Sequence, residues 1–211
     1  MAATDGHDHL HAGDSGVLTD FEKRADAMFE LLTEKGVFTA GEVRQQMEFM
    51  ESRTPALGAK VVAKAWADPS FKARLLTDAR AALEELGIGW DRSTRLVVVE
   101  NTPQVHNALV CTLCSCYPRP LLGVPPSWYK SLAYRSRVVL EPRSVLREFG
   151  LDLSADVEVR VHDSTADMRY LVLPLRPAGT DHMTEQELAE LVTRDSMIGT
   201  ALAAPSTAAV G

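Results

Sequence analysis

Leu109-Val110-Cys111-Thr112-Leu113-Cys114-Ser115-Cys116-Tyr117-Pro118 begins in an apolar β-type run and ends in a loop stiffened by Pro118 and Pro120. All three cysteines of the 211-residue chain lie in it. Three thiols spaced C-x-x-C-x-C cannot build a disulfide framework and read as metal ligands. The two-residue gap brings the sulfurs of Cys111 and Cys114 onto one centre. The one-residue gap lets Cys114, Cys116 and the backbone nitrogens of Ser115 and Cys116 lie around an ion in one plane. A structural zinc wants a fourth Cys or His at finger or ribbon spacing, and His106 does not stand at one. An iron–sulfur cluster normally takes four ligands, and a redox C-x-x-C has no use for Cys116. What remains is three sulfurs and two backbone nitrogens with one position open, the mark of a catalytic metal. The non-catalytic alternative is a thiolate metallochaperone or metal sensor, which needs the same three sulfurs.

Outward from this claw the second half of the chain reads as mixed α/β. Leu96-Val97-Val98-Val99 and Ala108-Leu109-Val110 are strand-like runs separated by the turn Asn101-Thr102-Pro103. Val157 to Val161 alternates as a half-buried strand, and Arg169 to Leu173 is a further strand ended by Pro174 and Pro177. A helix is expected from Arg143 to Phe149, another from the capping box Thr184/Glu187 through Val192, and a last strand over Ser196 to Leu202.

Upstream, helical signals dominate. Thr19/Glu22 and Thr39/Glu42 have capping-box spacing, and Gly36 ends the first helix. Leu57 to Trp66 is a third helix, Asp68-Pro69 opens a fourth, and a fifth runs from Asp78 to Leu86. Their narrow apolar stripes suggest an arm that needs a partner surface. The organisation expected is therefore α+β: a disordered tail over 1–17, a helical arm over 18–90 and an α/β metal-binding domain over 91–211. His7, His9 and His11 alternate in the tail and could share a metal weakly; a solvated tail is the favoured reading.

Composition excludes other classes. A hydrophobic share of 45% and a charged share of 24% are ordinary for a globular protein. A net charge of −7 opposes binding to nucleic acid, no run is long enough to span a membrane, and the N-terminus lacks the apolar core of a secretory signal. Cytoplasmic residence is the expectation.

V-C-T-L-C-S-C-Y-P resembles the signature of nitrile hydratase α chains and of their relative, the thiocyanate hydrolase γ chain. The resemblance continues through Val97 to Pro103, Val105 to Asn107, Leu122 to Ser131, Tyr134 to Val139, Tyr170 to Pro174 and Val192 to Asp195. It implies a layered α-β-β-α domain that hydrates a nitrile to an amide. Cys111, Cys114 and Cys116, with the nitrogens of Ser115 and Cys116, would hold the ion. Thr112, where iron-type members usually have Ser, resembles the cobalt type, so the ion would be low-spin Co(III), with Fe(III) less favoured. Cys114 would become a sulfinate and Cys116 a sulfenate. The ion would act as a Lewis acid, the Cys116 oxygen as nucleophile or base, and the Ser115 hydroxyl would orient the claw. The resemblance also implies β-type subunits that supply arginines to the claw, an activator or metallochaperone that loads the metal, and Arg169 at the interface. Locally only Arg119 suggests itself as such an arginine, while Trp128 and Tyr129 read as packing. Arg119 departs from the usual C-Y-P-W-P. It points to a polar pocket for a polar or heteroaromatic nitrile, a nucleoside nitrile such as toyocamycin included, or alternatively to a thiocyanate hydrolase γ-type subunit.

Overall fold

The computed structural model describes residues 19–114 and 116–205, in two units divided between Glu48 and Phe49. The first unit holds helix α1 (Asp20–Glu34) and most of α2 (Ala40–Glu51). Both helices start in the expected capping boxes. The Thr19 hydroxyl accepts the Glu22 amide at 3.2 Å while the Glu22 carboxylate accepts the Thr19 amide at 2.6 Å, and Thr39 and Glu42 repeat the arrangement. Helix α1 buries no residue, and Phe21 and Met28 remain 81% and 62% exposed.

The second unit starts with α3 (Ala56–Ala67), α4 (Pro69–Thr77) and α5 (Ala79–Glu85). The Asp68 carboxylate caps α4 by accepting the Ser70 and Phe71 amides, and Asp78 caps α5 through the Ala81 amide. These helices are not an arm. Val61, Val62, Phe71, Leu75, Ala82 and Leu83 lie in the same core as Val98, Leu109 and Leu171 from the strands. The change of pattern near residue 90 is thus a change of secondary structure inside one core.

Strands β1 (Arg95–Glu100) and β2 (Val105–Val110) follow, then three short helices the periodicity does not announce: α6 (Arg119–Leu122), α7 (Ser127–Lys130) and α8 (Leu132–Arg137). Helix α9 (Pro142–Glu148), strands β3 (Glu158–Asp163) and β4 (Met168–Leu173), and helices α10 (Glu185–Glu190) and α11 (Arg194–Ile198) complete the unit. β1 pairs with β4 and β2 with β3, both parallel, so each pair is joined by long crossovers. β2 packs against β4, α4 and α5 cover β1, and α9 covers β3, which gives the α-β-β-α layering.

The strand expected over Ser196 to Leu202 is instead α11 and its exit. Thr193 caps the helix, and Ser196 occupies the place a capping-box scan reserves for Glu or Gln. Gly199 ends it at φ 92°, where a Cβ would stand 2.0 Å from the Asn107 carbonyl oxygen of β2. Only glycine meets both demands, so the approach of α11 to the strand that leads into the claw depends on it.

Candidate metal centre

The claw begins where β2 runs out. Val110 is fully buried and in register with Asp163, and the Ser164 amide donates to the Val110 carbonyl at 2.8 Å. That register leaves Asp163 at the strand end, beside the first claw residues. Its carboxylate accepts the Thr112 amide at 2.9 Å and the Thr112 hydroxyl at 2.5 Å. The chain turns there, and the Cys114 amide donates to the Cys111 sulfur at 3.3 Å.

The three sulfurs converge. Cys111 Sγ lies 3.2 Å from Cys114 Sγ, which lies 3.1 Å from Cys116 Sγ, and all three fall within 4.8 Å of one another. These separations exceed a disulfide bond of about 2.05 Å by a wide margin. Cys111 is buried, Cys116 half-buried and Cys114 exposed, so the cluster is walled on one side and open on the other. Burial and the neighbouring Cys114 thiol push the Cys116 thiol up to about 12, against a lowering by the Arg169 charge. Crowded thiols resist becoming thiolates together; a cation among them removes the resistance. Three soft donors at this separation fit a thiolate-binding transition metal.

The loop carbonyls are held from below. The Tyr134 hydroxyl donates to the Leu109 carbonyl at 2.7 Å, the Tyr129 hydroxyl to the Cys116 carbonyl at 3.0 Å, and Arg135 Nη1 to the Cys114 carbonyl at 2.8 Å. Burial raises both phenols above their ordinary range, which keeps them protonated as donors. Tyr117 stands edge-on to Tyr129 with centroids 5.1 Å apart, and Trp128 lies 4.9 Å from Tyr134 and 4.7 Å from Phe149. Tyr129 thus both packs, as expected, and bonds the claw.

Beneath the strands a buried polar chain has a fixed direction. The Gly199 carbonyl can only accept, so His106 Nε2, 2.7 Å away, carries the proton, and Nδ1 accepts from Asn101 Nδ2 at 3.3 Å. Asn107 Nδ2 donates to the Glu100 carbonyl and to Asn101 Oδ1, which leaves Asn107 Oδ1 to accept from His162 Nε2 at 2.8 Å.

The other expected site residues separate. Arg119 opens α6, is exposed, and makes no side-chain hydrogen bond or ion pair among the described residues. The arginine bonded to the claw from this chain is Arg135, brought back by α8 from beyond the local motif. Arg169 turns onto its own loop, donating to the carbonyls of Ala166 and Met168 at 3.2 and 3.1 Å, with its charge felt at Cys116. Ser115, His7, His9 and His11 lie outside the described residues.

The model of the family described as nitrile hydratase, alpha chain, matches residues 19–201. The chain belongs to that family. Among relatives of this nitrile hydratase α-family chain, the low-molecular-weight cobalt-containing nitrile hydratase α subunit of Rhodococcus rhodochrous is 54% identical over 177 residues, 83% of this chain and 86% of that one. The thiocyanate hydrolase γ subunit of Thiobacillus thioparus is 44% identical over 199 residues, 89% of this chain and 82% of that one. Among solved structures, a double mutant of the iron-type nitrile hydratase from Comamonas testosteroni Ni1 aligns with a TM-score of 0.85 at 45% identity, covering 94% of this chain and 96% of the other. Both branches of the sequence resemblance are therefore present among the relatives, and the layered fold is shared. No helix among the described residues is long and apolar enough to cross a membrane.

Proposed function

We propose that this chain is the metal-binding α subunit of a cobalt-type nitrile hydratase, which adds water to a nitrile to give the amide and works with a β-type partner. The observation that carries the reading is the convergence of Cys111, Cys114 and Cys116 within 4.8 Å at the end of β2, in a member of this family. Cys111, Cys114 and Cys116, with the backbone nitrogens of Ser115 and Cys116, would hold the ion. A Co(III) ion bound there supplies Lewis acidity toward the nitrile. The cobalt-containing Rhodococcus relative and Thr112 favour cobalt over iron.

The chain's own groups do the remaining work. Asp163 fixes Thr112 and with it the turn of the claw. Cys116, as sulfenate, carries the nucleophilic or basic oxygen, Cys114 is the sulfinate, and the Ser115 hydroxyl orients the loop. Water gives its oxygen to the nitrile carbon and two protons to the nitrogen. We assign the exposed Arg119 guanidinium to the substrate pocket, where it suits a polar or heteroaromatic nitrile, a nucleoside nitrile included. Arg169 meets the partner, whose arginines bind the oxidised sulfurs, and an activator loads the metal. The chain works in the cytoplasm.

A thiocyanate hydrolase γ-type role is the second reading, favoured by the exposed cation of Arg119 and the Thiobacillus relative. The complex with its partner is assayed with benzonitrile-like nitriles, nucleoside nitriles and thiocyanate. Amide formation supports the proposal, whereas carbonyl sulfide release without amide reverses the ranking. Mass spectrometry separates both from a metallochaperone: an active, metal-loaded preparation without added oxygen on Cys114 and Cys116 counts against a hydratase.

A further inference from the structure

Arg135 reaches the claw from α8, and nothing in the proposed chemistry uses it. Its Nη1 donates to the Cys114 carbonyl at 2.8 Å, while its Nε is buried without a hydrogen-bond partner among the described residues. A guanidinium half-buried with a donor unanswered is costly. A side chain needed only to anchor α8 would have no reason to carry that cost. Its neighbour Arg137 shows the contrast, spending its donors on the exposed carboxylates of Glu141 and Glu148.

The carbonyl it holds matters. Cys114 is one of the three sulfur ligands in the proposed site, so a hold on its carbonyl restrains the main chain of a ligand residue. Cys116, the other end of the same segment, has its own carbonyl held by Tyr129. Two ligand residues thus have their carbonyls held by side chains of this chain. Only the Arg135 pin brings a permanent positive charge to a loop that gathers three sulfurs.

We infer that Arg135 is a positioning residue for metal loading, holding the Cys114 carbonyl and placing a fixed cation against the ligand loop before any partner arginine arrives. The inference rests on the reading of the claw as a metal centre.

The test uses the complete complex, expressed with its partner and activator in cobalt medium. Cobalt per α chain and the sulfur-to-cobalt charge-transfer band are measured for Arg135→Met, Arg135→Gln, Arg135→Lys and, as a control on the same helix, Arg137→Met. Arg135→Met and Arg135→Gln are expected to lower incorporated cobalt by about tenfold and to displace the band, as loss of an outer-shell ligand partner does. Arg135→Lys restores part of both, and Arg137→Met keeps native cobalt and a native band whatever its melting temperature. If Arg135→Met does not assemble, Arg135→Gln decides. Native cobalt with a native band in Arg135→Gln overturns the inference, and so does an equal loss in Arg137→Met. A wild-type complex that takes up no cobalt would instead overturn the metal-centre reading itself.

Discussion

Asp163 holds Thr112 twice, through its amide at 2.9 Å and its hydroxyl at 2.5 Å, and does so across 51 residues of sequence. The parallel register Val110↔Asp163 is what makes the contact possible. The latch turns the Thr112 side chain onto a carboxylate, so this residue shapes the claw through Asp163. Asp163→Ala removes both bonds and is expected to lower kcat by about 10- to 100-fold with a parallel loss of cobalt. Thr112→Val keeps the amide bond and should fall between that variant and wild type. Equal metal content and kcat in all three proteins would show that the latch does not shape the site.

His106 predicts a pH dependence of stability. Burial lowers its pKa from 6.5, against a raising effect of the Gly199 carbonyl. His162 is lowered too, by burial first and by Arg160 second. A group whose folded pKa is depressed is protonated first in the unfolded chain, so the stability it contributes is complete above 6.5 and is lost as pH falls toward the folded value. Carboxylates such as Glu187, lowered from 4.5, change charge further down. Melting temperature is therefore expected to fall as pH drops below 6.5, and His106→Gln should flatten part of that slope. A wild-type curve flat across this range would refute the assignment of a neutral His106.

What could be read beforehand was local. The boxes Thr19/Glu22, Thr39/Glu42 and Thr184/Glu187 pair residues three apart, and all three form. The strands at Leu96, Ala108, Val159 and Leu171 follow from runs of branched residues, and the claw is contained in six consecutive positions. The α11 segment reads as a strand because Met197 and Ile198 are adjacent apolar residues, while its cap uses Ser196 in place of an acid. Arg135 and Asp163 meet the claw across 21 and 51 residues, through a folded-back helix and a parallel register. No local spacing encodes either meeting. For the same reason α3 to α5 read as an arm, since their apolar faces are matched by strands whose position only the fold supplies.

Gly199 and Gly36 separate two effects that both disfavour a side chain. Each has a positive φ, 92° and 65°, but Gly36 has nothing within 4 Å of a built Cβ, whereas Gly199 would press one to 2.0 Å of the Asn107 carbonyl oxygen. Gly36→Ala should cost only the backbone strain, about 1–2 kcal/mol. Gly199→Ala adds a clash with backbone that cannot rotate away. It displaces α11 from β2 and disturbs the His106 bond to the Gly199 carbonyl. The expected outcome is a drop in melting temperature several times that of Gly36→Ala, or loss of soluble complex. Similar melting temperatures for the two variants would contradict the tight approach of α11 to β2.

We propose that Arg119 discriminates between the two substrate classes, and its exposure makes this testable without damage to the fold. Its side chain has no partner among the described residues, so Arg119→Trp should change stability by no more than about 0.5 kcal/mol. It replaces a cation with an apolar wall. If the guanidinium faces the substrate, kcat/KM for polar or anionic substrates should fall by about tenfold relative to a benzonitrile-like nitrile, because a charge-assisted contact worth about 1.5 kcal/mol or more is lost. The fall should shrink at high salt, where an exposed cation is screened over about 3 Å at 1 M. Cobalt content and the charge-transfer band stay native, since Arg119 does not hold the claw. An unchanged ratio of the two rates at low salt would place Arg119 outside the substrate path and leave specificity to the partner subunit.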